Sequence, residues 1–186
     1  ANNQDGKRPE NVTIKLFADD VDTGKTLILT ETNNWTGNFT DLDEYKAGIK
    51  IVYPVEEVAV GNGYDTTISG DAATGYIVTN SRTPETVDIE GSKTWDDVDN
   101  QDGKRPTSIT VRLFNGTTEV KTATVSETDG WAWSFTDLPK YEAGVQITYT
   151  ITEDTVDDYS AEVDGYNVTN SYTPGKTSVG VTKVWA

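Results

Sequence analysis

The sequence predicts an all-β protein built from tandem sandwich-type repeats, and three observations predict it. Short segments alternate apolar and polar residues, the period of a strand with one buried face. Those segments are rich in Val, Ile, Thr and aromatics, and Gly, Asp and Asn separate them as turns. The pattern also comes twice. Asn3-Gln4-Asp5-Gly6-Lys7-Arg8-Pro9 returns intact as Asn100 to Pro106, 97 residues on.

The strands follow from the alternation. In the second copy they are Ser108 to Phe114, Val120 to Val125, Trp131 to Phe135 and Val145 to Glu153. Only Lys140-Tyr141-Glu142-Ala143 has room for a helical turn. Many short strands at regular spacing in a unit of about 90 residues fit a sandwich.

Further matches set the boundaries. Trp35 to Leu42 recurs as Trp131 to Leu138, and Val78 to Pro84 recurs as Val168 to Pro174 at the shorter offset of 90. The first copy therefore carries extra residues in the Gly-rich stretch Gly61 to Gly75. Ser92-Lys93-Thr94-Trp95 resembles Thr182-Lys183-Val184-Trp185 at the end of the chain. Residues 1–84 are thus expected to form a first repeat without its initial strand. Residues 85–174 form a complete second repeat. Residues 175–186 supply a linker and the initial strand of a further repeat. That strand is expected to complete the first repeat of a neighbouring molecule, as a donated strand does, the alternative being that it folds back onto the first repeat of its own chain.

Composition narrows the function. The 15 Lys and Arg are outnumbered by 31 Asp and Glu, a formal charge of −16. Phosphate-rich partners would repel such a chain, so neither nucleic acid nor an anionic membrane is an expected partner. The 5 Trp, 9 Tyr and 4 Phe argue for a folded core rather than disorder. No Cys, His or Met is present. That removes disulfides, thiolate zinc sites and the commonest general base. No metal or cofactor is expected. With no Met, the chain is expected to be a processed piece of a longer protein. No segment is long and apolar enough to span a membrane.

Alternation also assigns faces. Ile89, Gly91, Lys93 and Trp95 point one way, and so do Val179, Val181, Lys183 and Trp185. Val145, Ile147, Tyr149, Ile151 and Glu153 share a face, with Ile49, Ile51, Tyr53, Val55 and Glu57 as their first-repeat equivalents. Tyr166, Val168, Asn170 and Tyr172 share another, matched by Tyr76, Val78 and Asn80. Each repeat unit thereby directs one Lys, one Glu and one Asn toward its core. Each polar residue taken singly also fits a strand end reaching water, since lysines snorkel. Taken together and repeated, they point to chemistry. Burial drives Lys toward the neutral amine and Glu toward the neutral acid. A neutral amine is a nucleophile. A protonated Glu can polarise the Asn carbonyl, and attack would expel ammonia and leave an amide.

The Lys-x-Trp opening, the Asn-Gln-Asp-Gly-Lys-Arg-Pro turn, the Tyr-Thr-Ile-Thr-Glu strand and the closing Val-Thr-Asn-x-Tyr-Thr-Pro resemble the Cna B-type repeats of Gram-positive surface proteins. The resemblance covers essentially the whole chain. It implies an inverse immunoglobulin-like sandwich and an isopeptide bond from Lys to Asn assisted by an acidic residue. It also implies a stalk role in a cell-wall-attached surface protein, with neighbouring repeats as partners. Carried over by motif, Lys93 would join Asn170 with Glu153 handling the proton. Glu57 and Asn80 would take the same roles in the first repeat, with Lys183 as the matching lysine. Pro54 departs from the pattern, standing where the second repeat has Thr150, and implies an edge or a bulge.

Other signals carry less. In Asp96 to Gly103 an EF-hand register would put Val98 and Ile109 at ligand positions, which excludes that site and leaves a turn. The Asn-x-Thr triplets at Asn11, Asn34, Asn38, Asn115 and Asn167 read as Thr-rich strands. Trp131 and Trp133 suit core packing better than sugar binding. A module that binds host matrix protein directly is the alternative function, and a large exposed apolar patch would favour it. A hydrolase is a distant third, without His, Cys or a nucleophile motif. Self-cross-linking would be a single turnover, so no enzyme is expected.

Overall fold

The computed structural model describes residues 3–186. The chain divides into two compact units, Ala1–Pro84 with Ala143–Val145 and Glu85–Glu142 with Gln146–Ala186. It is all-β, with single 3₁₀ turns at Glu31–Asn33 and Glu127–Asp129.

The first unit contains β1 (Asn11–Ala18), β2 (Val21–Thr30), the two-residue β3 (Tyr45–Lys46) and β4 (Ile49–Lys50), β5 (Val55–Glu57), β6 (Asp65–Asp71) and β7 (Gly75–Ser81). β1 lies between β2 and β5 in an antiparallel sheet. β3 with β4 and β6 with β7 form hairpins. Pro54 stands just before β5, the edge of its sheet, and its carbonyl accepts from the Phe17 amide at 2.9 Å. The extra residues of this copy lengthen the β6–β7 hairpin.

The second unit adds β8 (Thr86–Asp96), β9 (Ser108–Asn115), β10 (Thr118–Ser126), β11 (Ala132–Pro139), β12 (Tyr141–Glu142), β13 (Val145–Gln146), β14 (Tyr149–Glu153), β15 (Ser160–Asp164) and β16 (Asn167–Ser171). One sheet runs β10-β9-β14 and the other β11-β8-β16-β15. β8 and β16, the first and last strands, pair parallel, with Val168 opposite Lys93 and Asn170 opposite Trp95. The inward faces close one core that includes Ile89, Val111, Leu113, Phe135, Ile151 and Val168. This is an immunoglobulin-like sandwich, as the alternation predicts.

Two local expectations are corrected. Lys140 to Ala143 holds no helical turn. Tyr141–Glu142 is a strand that pairs with β13 through a two-residue turn. Ala143 and Gly144 both have positive φ, 49° and 81°, the geometry that matches strand twist in tight hairpins. Nor is Val145 to Glu153 one strand. The chain breaks at Ile147, whose amide donates to the Lys140 carbonyl at 3.0 Å. Val145 consequently faces solvent, as does Ile49 in the first unit, and neither joins the core row.

Gly91 marks a close approach. A Cβ built there would stand 1.9 Å from the Tyr166 carbonyl and 2.6 Å from the Trp133 ring. Backbone cannot yield as a flexible side chain can. Gly91→Ala is expected to destabilise the second unit by about 1–3 kcal/mol, the range for overpacked cores, read from denaturation midpoints.

Candidate functional site

Three polar side chains meet inside the second unit. β8 carries Lys93 and its parallel neighbour β16 carries Asn170, diagonal to each other on the inward face. Glu153 comes from the end of β14 in the opposite sheet. Period-2 alternation puts each inside, because Ile89, Val168 and Ile151 lie two or four residues away on the same faces. The Lys93 ammonium lies 3.6 Å from Glu153 Oε1, and both side chains are at most 1 % exposed. Asn170 is fully buried.

The electrostatics are unfavourable as they stand. Burial lowers the Lys93 ammonium to about 8, although Glu153 pulls the other way. Burial raises the Glu153 carboxyl, against the opposing pull of the Asn170 amide and Lys93. Both groups are thus driven toward their neutral forms. Neither Glu153 oxygen and neither polar atom of the Asn170 amide has a hydrogen-bond partner among the described residues. Buried polar groups left this way each cost on the order of 1–3 kcal/mol. Lys93 Nζ donates to the Thr94 carbonyl at 3.2 Å and sits 4.2 Å from the Trp95 ring centre. A nucleophile, an amide and a carboxyl are therefore packed together in a buried site, with hydrogen-bonding capacity that the described residues leave unused.

Aromatic rings cover the lysine. Trp95 meets Trp131 and Tyr159 edge-on, each with centroids 5.1 Å apart. Trp131 thus packs on Trp95, and Trp133 is buried in the core. Asp97 pins this cover. It accepts from Arg105 Nε and Nη2 at 3.0 and 2.7 Å, from the Asn100 amide at 2.9 Å and from the Tyr159 hydroxyl at 2.9 Å. The Arg105 guanidinium chiefly holds the Asp97 carboxyl down at about 2. The acidic loop is accordingly a turn closed on an internal arginine. Sequence reasoning did not single out Asp97, Arg105 or Tyr159. The repeated Lys-Arg-Pro was the available signal, since an arginine fixed in a turn needs a carboxylate.

The first unit holds a related but open site. Asn80 Nδ2 donates to Glu57 Oε1 at 2.8 Å. Thr66 Oγ1 lies 2.7 Å from both Glu57 Oε2 and Asn80 Oδ1, and with one proton it donates to either. Thr66 stands opposite Asn80 where Ala161 stands opposite Asn170. That hydroxyl is a second feature the sequence reading missed. Glu57 and Asn80 line a cavity of about 550 Å³ together with Val12, Leu29, Trp35 and Val78. Lys183 is not there. It lies in the exposed tail, its Nζ 3.2 Å over the ring of Trp185. No cluster of three or more Asp and Glu suited to a metal ion occurs among the described residues.

Comparison with known proteins follows the same lines. The family model described as Cna protein B-type domain matches twice, over residues 1–81 and 89–171. A collagen adhesin of Staphylococcus aureus is 50 % identical over 184 residues, which is 99 % of this chain and 16 % of that protein. The crystal structure of two B repeat units (B1B2) of the collagen binding protein of Staphylococcus aureus superposes with a TM-score of 0.87 at 48 % identity. It covers 94 % of this chain and 47 % of that one. The chain thus spans a small part of the length of the curated relative it matches.

Proposed function

Because the chain belongs to the Cna protein B-type domain family, we propose that it is a stalk segment of an extracellular Gram-positive surface adhesin, hardened by a self-formed Lys93–Asn170 isopeptide bond. The observation that supports this reading most is the buried Lys93, Glu153 and Asn170 cluster with its unpartnered polar atoms. Lys93 Nζ attacks Asn170 Cγ, a new C–N bond forms, and the bond to Nδ2 breaks. Protonated Glu153 lends its proton to the Asn170 carbonyl oxygen as the amine attacks; as the resulting carboxylate it carries a proton from the attacking nitrogen to Nδ2, which departs as ammonia, and it regains its own proton as the carbonyl re-forms. The product amide is neutral and cannot ionise, so the buried site no longer holds an amine that would be charged in water. Packing supplies the proximity that an unactivated carboxamide needs. One event occurs per domain. Cell-wall attachment and adjoining repeats in the same protein belong to this reading.

The intact mass of the denatured protein tests it. The expected species is lighter than the sequence by one ammonia, and Glu153→Gln is expected to slow that loss by about 10²-fold or more. The full sequence mass in the unmutated protein would sink the reading.

Bond formation should also depend on pH. The reactive pair holds one proton between neutral Lys93 and neutral Glu153. Adding a second proton blocks the amine, and removing the last one leaves a carboxylate that cannot polarise the amide. Freshly translated protein, followed by mass, is expected to give a bell-shaped rate, its acid limb drawn down by the burial that lowers Lys93 and its alkaline limb pushed up by the burial that raises Glu153. A rate rising without limit through pH 10 would remove Glu153 from the mechanism.

A further inference from the structure

The rings over Lys93 are held in place by groups that take no part in the bond. Trp95 follows Lys93 by two residues on the inward row of β8, so its ring reaches the amine, with Nζ 4.2 Å from the ring centre. Its two ring neighbours come from loops. Trp131 sits at a positive φ of 55° just before β11, and Tyr159 lies just before β15, after Asp158 at a φ of 69°. Trp131 is fixed by its own backbone, because its carbonyl accepts from the Lys93 amide at 2.7 Å and its amide donates to the Ser126 carbonyl at 3.0 Å. The Tyr159 backbone has less: its amide donates to the Val156 carbonyl at 3.2 Å, within the same loop. An edge-on ring contact has no directional bond that would stop such a side chain swinging outward.

A side-chain bond supplies what the backbone lacks. The Tyr159 hydroxyl donates to Asp97 Oδ2 at 2.9 Å, across 62 residues of sequence. Asp97 is 1 % exposed and is itself fixed by two Arg105 nitrogens and by the Asn100 amide. The turn after β8 is closed by those bonds, and the tyrosine bond is additional to them. What it adds is a tie across the site, from the end of β8 to the loop after β14. The Tyr159 ring also meets Tyr172 with centroids 5.4 Å apart, and the Tyr172 hydroxyl donates to Asp102 at 2.9 Å. We propose that Tyr159, latched by Asp97 and Arg105, is a positioning residue for the Lys93–Asn170 cross-link: it keeps Trp95 closed over the amine and keeps water from the reacting atoms. The inference rests on the cross-link reading above.

Tyr159 and Asp97 exchange no proton with the reacting groups. The bond formed is still Lys93 Nζ to Asn170 Cγ, and the leaving nitrogen is still Nδ2. The latch acts on protonation. Water at the site charges the amine and ionises the carboxyl, and the reaction needs both neutral. Among the described residues, the charged groups that bear on Lys93 are Glu153 from β14 at 3.6 Å and Asp97 from the loop after β8, with Arg105 5.5 Å from the Trp95 ring centre. Asp154, paired with Arg112, bears on Glu153. Burial and the Asp97 carboxylate push the Tyr159 phenol up to about 12, so it stays a donor across the working range. Asp97 acts in two opposed ways. Its charge favours the Lys93 ammonium, whereas its hold on Tyr159 favours the neutral amine. Tyr159→Phe separates the two, since it removes the hold and leaves every charge in place.

The test follows ammonia loss by intact mass in the freshly translated full chain across a range of pH. Tyr159→Phe is expected to finish the reaction but to slow it by about 10- to 100-fold at the optimum. Its bell should also narrow, with the acid limb moved up toward the ordinary lysine range and the alkaline limb moved down toward the ordinary carboxyl range. Arg105→Lys keeps the charge and loses the fork, so it should move both limbs the same way by less. That variant also answers the question if Tyr159→Phe does not fold. A purely structural role would lower the denaturation midpoint of the finished product and leave both limbs where they are, and that result overturns the inference. So does a Tyr159→Phe rate equal to that of the unmutated protein. If the unmutated protein keeps its full sequence mass, the cross-link reading falls first and this inference falls with it.

Discussion

Asn170→Ala and Lys93→Ala are each expected to return the protein to its full sequence mass and to weaken the second unit by about 4–5 kcal/mol. The magnitude follows from chain entropy. A bond from 93 to 170 closes a loop of 77 residue steps, and the unfolded chain loses the conformations that the loop forbids. For a domain of this size, that loss corresponds to a fall in midpoint of roughly 15–35 °C. A truncated side chain also leaves a cavity, so a second variant is needed to apportion the effect. Glu153→Gln keeps Lys93, Asn170 and the volume of the site but removes the proton carrier. It should share the lost bond and most of the lost stability with Asn170→Ala. If Asn170→Ala unfolds far earlier than Glu153→Gln while both have full mass, packing rather than cross-linking dominates. If Asn170→Ala still loses that ammonia, the bond lies elsewhere.

Asp97→Ala is expected to cost about 3 kcal/mol. Removing one partner of a buried ion pair leaves the other charge uncompensated, which typically costs 3–5 kcal/mol. The low end applies because the Arg105 side chain keeps 20 % of its surface in water. The loss should be local to the loop after β8 and to the aromatic cover, so tryptophan emission should shift as Tyr159 loses its anchor. The same carboxylate predicts acid sensitivity. Its folded pKa is depressed to about 2 from an ordinary value of 3.8. Its contribution is therefore complete above about pH 4 and is lost as pH falls toward 2. Denaturation midpoints between pH 5 and pH 2 should fall more steeply in the unmutated protein than in Asp97→Ala. Parallel slopes would mean that Asp97 does not carry the effect.

Much of this was legible in the sequence because the relevant rule has a period of two. Alternation identified the faces of β8, β14 and β16, and the inward Lys93, Glu153 and Asn170 followed from their apolar neighbours. It failed where the backbone leaves the pleat. Val145 to Glu153 alternates well, yet the Ile147 amide is drawn to Lys140 and the strand breaks, so Val145 faces outward. Lys140 to Ala143 lacks a clear turn signal, because an Ala at positive φ is uncommon and only Gly144 hints at the hairpin. Asp97 and Thr66 escaped for another reason. Their importance lies in partners eight to sixty-two residues distant, and beyond the repeated Lys-Arg-Pro, which signals the arginine but not its carboxylate, no local pattern encodes such pairs.

The parallel pairing of β8 with β16 has a mechanical consequence. Pulling the start of β8 against the end of β16 slides two adjacent strands along each other, so the hydrogen bonds between them share the load. If those strands parted without a bond between Lys93 and Asn170, the 77 intervening steps could pay out about 260 Å of contour. With the bond in place that length is unavailable. Such a unit is inextensible: it would pass a sudden pull to its neighbours almost undiminished and dissipate little of it as heat. Compliance in the whole tether would then have to come from the short linkers, such as Thr83-Pro84 between β7 and β8, that join one unit to the next.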